Sequence, residues 1–132
     1  MAACLTFKCS NCGFSVDSWD DGNPYVEDPR GKRHYFHHPC EEEQIREIAG
    51  RVLGRTPKRE EIDEMVKLHG GNESNFICAD CLRITQRNPS KDALVCGDCH
   101  SSRLVRTHEL GGTRCLSCEV GQFDGGNLAA IS

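Results

Sequence analysis

The stretch Cys96-Gly-Asp-Cys99-His-Ser-Ser-Arg-Leu-Val-Arg-Thr-His-Glu-Leu-Gly-Gly-Thr-Arg-Cys115-Leu-Ser-Cys118 holds two Cys-x2-Cys pairs with 15 residues between them. Two residues between cysteines let both thiolates of one tight turn face a single cation. A gap of roughly 15 to 20 residues then lets two such turns converge on one tetrahedral site. This spacing predicts that Cys96, Cys99, Cys115 and Cys118 share a metal ion. Arg103 to Thr107 would be a strand, and Gly111-Gly112 would turn the chain back toward Cys115.

Two more pairs lie upstream, Cys9-x2-Cys12 and Cys78-x2-Cys81. Joined to each other they would close a loop of 65 residues, at an entropic cost that grows only logarithmically with length. A competing register joins Cys78 and Cys81 to Cys96 and Cys99 across 14 residues. It leaves Cys9 and Cys12 to use Cys115 and Cys118, or the segment His34-Tyr-Phe-His37-His38-Pro39-Cys40. Four Cys-x2-Cys pairs suffice to close two sites, so two Zn2+ ions are expected, with Cys9, Cys12, Cys78, Cys81, Cys96, Cys99, Cys115 and Cys118 as ligands.

Disulfides are the competing use of ten cysteines. The start, Met-Ala-Ala-Cys-Leu-Thr-Phe-Lys, has neither the basic residues nor the apolar run of a secretory signal. Disulfide frameworks also seldom repeat one spacing four times, so reduced thiols and a cytoplasmic setting are expected. No apolar run approaches the roughly 20 residues that cross a bilayer.

Metal is also what the composition calls for. Of 132 residues only 37% are hydrophobic and 6% aromatic, with one tryptophan, so burial alone supplies little folding free energy. The formal charge is -4, and two dications on eight thiolates would take it to about -8. That balance argues against general nucleic-acid affinity. A local basic face is still possible, because residues 83 to 114 hold six Arg/Lys against three Asp/Glu.

Thr6-Phe7-Lys8 and Arg33-His34-Tyr35-Phe36 read as strands, with turns at Asp21-Gly-Asn-Pro24 and Asp28-Pro-Arg-Gly31. Between Glu41 and Leu53, Ile45, Ile48, Ala49, Val52 and Leu53 recur with the helical period, and Gly54 ends the run. A second helix is expected with Thr56 as N-cap and Pro57 as its first residue, carrying Ile62, Met65, Val66 and His69 on one face and stopped by Gly70-Gly71.

Residues 96 to 123, from Cys-Gly-Asp-Cys to Cys-Leu-Ser-Cys-Glu-Val-Gly-Gln-Phe, resemble a zinc ribbon. Cys9-Ser-Asn-Cys12-Gly-Phe resembles the knuckle of rubredoxin-like modules, and the whole is similar to bacterial zinc-binding proteins of this type. Typical knuckles carry glycine after the second cysteine, and only Cys12-Gly13 keeps it. The implied fold is a small metal-bound α+β protein with two zinc-ribbon-like β modules, the first with a two-helix insertion. Residues 1–95 would form a zinc module with a helical insertion at about 41–69, residues 96–124 a C-terminal zinc ribbon, and 125–132 a disordered tail.

A closed Cys4 shell leaves no position for water or substrate, so the expected role is a structural zinc protein, a binding or scaffold module. Its partner would be a protein, or nucleic acid through Arg83, Arg87, Lys91, Arg103, Arg106 and Arg114. No aromatic residues interleave with these to stack on bases, which favours a solvated surface. One alternative is an enzyme whose zinc is held by Cys9, Cys12 and a histidine, with Glu41 or Glu42 as base. The patterns His-x-Glu with Pro-Cys-x2-Cys and His-Glu-x2-His are absent. Another is rubredoxin-like iron for electron transfer. His37, His38 or Cys40 could serve Cys9 and Cys12, although His38-Pro39 also suits an ordinary strand-to-helix junction. Cys4 reads as a free thiol near a mobile terminus, His100 and His108 as solvent-facing, and His69 as a helix C-terminal residue.

Overall fold

A computed structural model describes residues 2–37 and 39–131. It is a small α+β protein with two helices and antiparallel sheets, and it divides into two compact units, Met1–Gly22 with Ser74–Ser132, and Asn23–Glu73.

In the first unit, β1 (Ala3–Lys8) is the centre of a sheet between β2 (Ser15–Trp19) and β8 (Asn127–Ile131). Val16 and Ser18 are buried on β2 with the two-residue period of a strand. On β1 the buried residues are Cys4 and Phe7, three apart and so on opposite faces of a strand that keeps unbroken register with β2. The pairing with β8 is irregular between Cys4 and Leu5, where Ala129 is the extra residue on β8. Cys4 is thus 5% exposed within a strand, and not on a loose terminus.

Residues 127–131, read from sequence as a disordered tail, pair with β1 instead. Gly126 makes the entry possible, since it sits at φ +91° and a Cβ there would lie 2.8 Å from the Phe7 ring. Phe7, Cys9, Val16, Ile77, Leu110, Cys115 and Phe123 form the core of this unit. Two of its seven members are cysteines of Cys-x2-Cys pairs, so the apolar core and the thiol groups are one structure.

The strand β5 (Gly70–Cys78) crosses the unit boundary. Its residues Ser74 to Cys78 pair with β6 (Ile84–Arg87) and β7 (Leu104–Arg106). In the second unit, its residues Gly70 to Glu73 pair with β3 (Asn23–Glu27), which also pairs with β4 (Arg33–Tyr35). Tyr25, Val26, Ile48 and Ala49 are buried there. The Arg33 guanidinium lies 4.4 Å from the centre of the Tyr25 ring and donates to the Glu73 carboxylate at 2.5 Å.

The helix α1 spans Glu41–Leu53, as the periodicity predicts, and Gly54 closes it in the left-handed conformation. The second, α2, spans Arg59–His69 and starts later than the Thr56-Pro57 signal suggests. Glu61 explains the shift. Its carboxylate accepts the Lys58 N–H at 3.0 Å and both terminal nitrogens of Arg55 at 2.8 and 2.5 Å, which caps the helix at Lys58. Among the described residues no helix is long and apolar enough to cross a membrane.

Candidate metal centres

Each Cys-x2-Cys pair sits on the same backbone turn. The residue after the second cysteine donates its N–H to the carbonyl of the first: Gly13 to Cys9 at 3.2 Å, Leu82 to Cys78 at 2.8 Å, His100 to Cys96 at 3.1 Å and Glu119 to Cys115 at 3.1 Å. The first cysteine in turn donates to a carbonyl five residues on, as Cys9 to Phe14, Cys78 to Arg83 and Cys96 to Ser101. The fourth turn holds one extra residue, and Cys115 donates to Gly121.

Closing this turn needs a left-handed residue after the second cysteine. Gly13 has φ 78°, and Leu82, His100 and Glu119 take 63°, 62° and 59°. Three non-glycine side chains thus hold a conformation that usually belongs to glycine. The departure from the glycine pattern changed the residues and left the turn intact.

The turns point backbone amides at the sulfurs. Asn11 and Cys12 N–H lie 3.3 and 3.5 Å from Cys9 Sγ, and Phe14 N–H lies 3.5 Å from Cys12 Sγ. Asp98 N–H reaches Cys96 at 3.4 Å, Ser117 reaches Cys115 at 3.3 Å, and Gly121 reaches Cys118 at 3.4 Å. Oriented amides of this kind favour thiolate over thiol.

The eight cysteines form two groups, Cys9, Cys12, Cys115 and Cys118 in one and Cys78, Cys81, Cys96 and Cys99 in the other. This corrects the preferred register. Cys96 and Cys99 do not meet Cys115 and Cys118, and Cys9 and Cys12 do not meet Cys78 and Cys81. The physical reason is strand pairing. β5 leaves Cys78 hydrogen-bonded beside β6 and β7, so the hairpin delivers Cys81 to Cys96. Cys9 forms a bridge with Phe123, which brings the first pair to the last.

Within each group the ligand atoms lie within 4.8 Å of one another. Sulfur separations across the pairs include 3.7 Å for both Cys9–Cys118 and Cys12–Cys115, 3.5 Å for Cys78–Cys99 and 3.6 Å for Cys81–Cys96. A tetrahedral ion with metal–sulfur bonds of about 2.3 Å places its sulfurs about 3.8 Å apart. Disulfide sulfurs would stand about 2.05 Å apart, and all ten cysteines are free. The four-sulfur spacing therefore fits a metal ion in both groups.

Charge leads to the same fit. The Gly121 and Val120 N–H groups, with other donors, bring Cys118 down to about 6, and the Cys99 and Asp98 N–H groups bring Cys96 down to about 7. The Cys12 N–H lowers Cys9, and the Cys81 N–H lowers Cys78. Their partners move the other way. The Phe14 N–H pulls on Cys12, yet burial and the neighbouring thiols together push it up to about 11. Cys81 rises to about 12 in the same manner, against the pull of the Arg83 N–H. Four thiolates at this spacing repel one another and some retain protons; a central dication removes that reason.

The other candidate residues lie elsewhere. Cys40 is exposed before α1, and among the described residues neither it nor His37 joins a sulfur group; His38 lies outside the described residues. The three-ligand centre of Cys9, Cys12 and a histidine is not formed among them, because Cys115 and Cys118 complete that shell.

His108 is exposed at its edge, but its ring is not simply solvated. Its Nδ1 lies 3.2 Å from the Ser18 hydroxyl, which is 2.7 Å from that of Thr107, and Thr107 donates to the Asn75 carbonyl at 3.4 Å. A carbonyl only accepts, so the hydroxyl protons run toward Asn75 and His108 Nδ1 is the donor to Ser18. Ser18 stands ninety residues away in sequence, and no local pattern announces this contact.

The basic candidates are partly spoken for. Arg83 pairs with Asp98 at 3.4 Å and Arg103 with Asp80 at 2.6 Å. Arg87 donates to the Val95 and Gln86 carbonyls, and Arg106 lies 5.8 Å from the centre of the Phe76 ring. No family model, curated protein or solved structure matches the chain.

Proposed function

We propose that this chain is a structural zinc protein of zinc-ribbon type, in which two Zn2+ ions hold one β unit together as a binding module for another protein. The observation that carries this reading is the pair of closed four-sulfur groups at tetrahedral spacing. Such shells stabilise a fold without offering a site for water or substrate. A chain with this little apolar core gains folding free energy from metal directly. Ligand thiols must stay reduced, which accords with a cytoplasmic setting.

A protein partner is favoured over nucleic acid because Asp98 and Asp80 neutralise Arg83 and Arg103. In addition β8 is an edge strand with every residue exposed, Leu128 and Ile131 included. An open edge is a template for a partner's strand.

Metal analysis of the natively purified chain tests the reading, with two zinc ions per chain and a colourless protein expected. A red protein with iron would assign electron transfer instead, since four thiolates also suit iron. A salt-sensitive RNA or DNA gel shift by the zinc-loaded chain would revive Arg87, Lys91, Arg106 and Arg114 as a nucleic-acid face.

A further inference from the structure

The second unit contains a cleft of about 300 Å³ lined by Asp28, Pro29, Arg30, His34, Arg51 and Val52. This is the small end of the range for ligand pockets. Its only acid is fully engaged. Asp28 Oδ1 accepts the N–H groups of Arg30 and Lys32, both at 2.9 Å, and Oδ2 lies 2.8 Å from His34 Nε2. His34 chiefly, with the Lys32 N–H, holds the Asp28 carboxyl below its usual range. The two guanidinium groups, by contrast, have no such partner: among the described residues neither Arg30 nor Arg51 forms an ion pair with a carboxylate.

Both arginines stand on fixed backbone. Arg30 lies in a turn closed by Gly31 N–H to the Asp28 carbonyl and Asp28 N–H to the Lys32 carbonyl, both at 2.9 Å, with Gly31 at φ +83°. Arg51 belongs to the last turn of α1, which is anchored by the buried Ile48 and Ala49 and capped by Gly54. Asp28 fixes the His34 ring through its Nε2.

We propose that this cleft binds a phosphoryl group, as inorganic phosphate or as the phosphate of a small monoester. Two guanidinium forks match the three terminal oxygens and the double negative charge of such a group, where a carboxylate would occupy only one fork. The site is independent of the metal centres, all of whose ligands belong to the other unit.

The test is an NMR titration of the zinc-loaded full chain with inorganic phosphate, AMP and acetate at equal ionic strength. Saturable shifts are expected at the amides of Arg30, Gly31, Lys32 and Arg51. Arg30→Ala and Arg51→Ala should each weaken binding about tenfold or more, the usual effect of losing a charged hydrogen bond. Arg46→Ala, on α1 but outside the cleft lining, should leave binding unchanged. Tighter binding of AMP would assign the monoester as source, and equal binding the free ion. Acetate competing as well as phosphate, shifts that fail to saturate, or equal weakening by Arg46→Ala would overturn the proposal.

Discussion

Cys12 Sγ lies 3.7 Å from Cys115 Sγ, although 103 positions separate the two residues in the chain. A metal held there would tie the first Cys-x2-Cys pair to the last, a contact reinforced by the β1–β8 pairing and the Cys9–Phe123 bridge.

The pairing can be checked by substitution. Loaded with 113Cd, the chain should give two resonances in the range of four-sulfur sites. Cys12→Ser and Cys115→Ser should perturb the same resonance, and Cys81→Ser and Cys96→Ser the other. Were Cys96→Ser and Cys115→Ser to affect one ion together, the grouping described here would be wrong.

Knuckle strain gives a second expectation. Glu119 and His100 are exposed at φ 59° and 62°, a region where L-residues are roughly 1 kcal/mol or more less stable than glycine. Glu119→Gly and His100→Gly should each raise the stability of the metal-loaded protein by about 0.5 to 1 kcal/mol, after the entropy glycine adds to the unfolded chain is deducted. Gly13→Ala, at φ 78°, should lower it by a similar amount. Chemical denaturation with metal in excess measures all three.

These turns also mark what was legible in the sequence. The Cys-x2-Cys spacing fixes the turn because two intervening residues can hardly bring both sulfurs to one side in another way. The α1 helix was equally plain, since its apolar period and Gly54 agree. The partnership of the pairs was not, because 14 and 15 intervening residues are nearly equivalent for a hairpin. Strand order decided between them, and strand order depends on β1–β8 and β5–β6 contacts that no local pattern encodes. The same holds for residues 127–131, whose strand exists through its pairing with β1 rather than through propensity. Arg30 and Arg51 were outside the cationic set read from sequence, because they line one cleft only once the Asp28–Gly31 turn and α1 are in place.

Acid should test the α2 cap. The Arg55 guanidinium, with the Lys58 N–H, brings the Glu61 carboxyl down to about 2, from an ordinary value of 4.5. A folded value below the unfolded one means that the contribution is present above pH 4.5 and is lost as pH falls toward 2. The pair is solvent-exposed, so salt should reduce it. The carboxyl 13C shift of Glu61 should therefore still report an ionised group at pH 4, and Arg55→Ala should move its midpoint up toward 4.5.

Gly121 carries the sharpest prediction for the first metal centre. A Cβ at this position would stand 2.6 Å from Cys9 Sγ, 2.6 Å from Asn11 Cβ and 3.0 Å from Asn11 N. Two of these three atoms belong to the backbone or its first side-chain carbon, so little can rotate away. Gly121 also donates to Cys118 Sγ and accepts from Cys115 N–H, and moving it disturbs both cysteines of the fourth turn. Gly121→Ala should thus weaken metal at Cys9, Cys12, Cys115 and Cys118 by at least about tenfold, a loss equivalent to one hydrogen bond to a charged sulfur. The other ion should be retained at wild-type affinity, because Cys78, Cys81, Cys96 and Cys99 form a separate sulfur group and the atoms nearest a Gly121 Cβ belong to Cys9 and Asn11. Competition with a chromophoric chelator resolves the two: one zinc released early and one late supports the assignment, and two zincs released together at the wild-type concentration contradicts it.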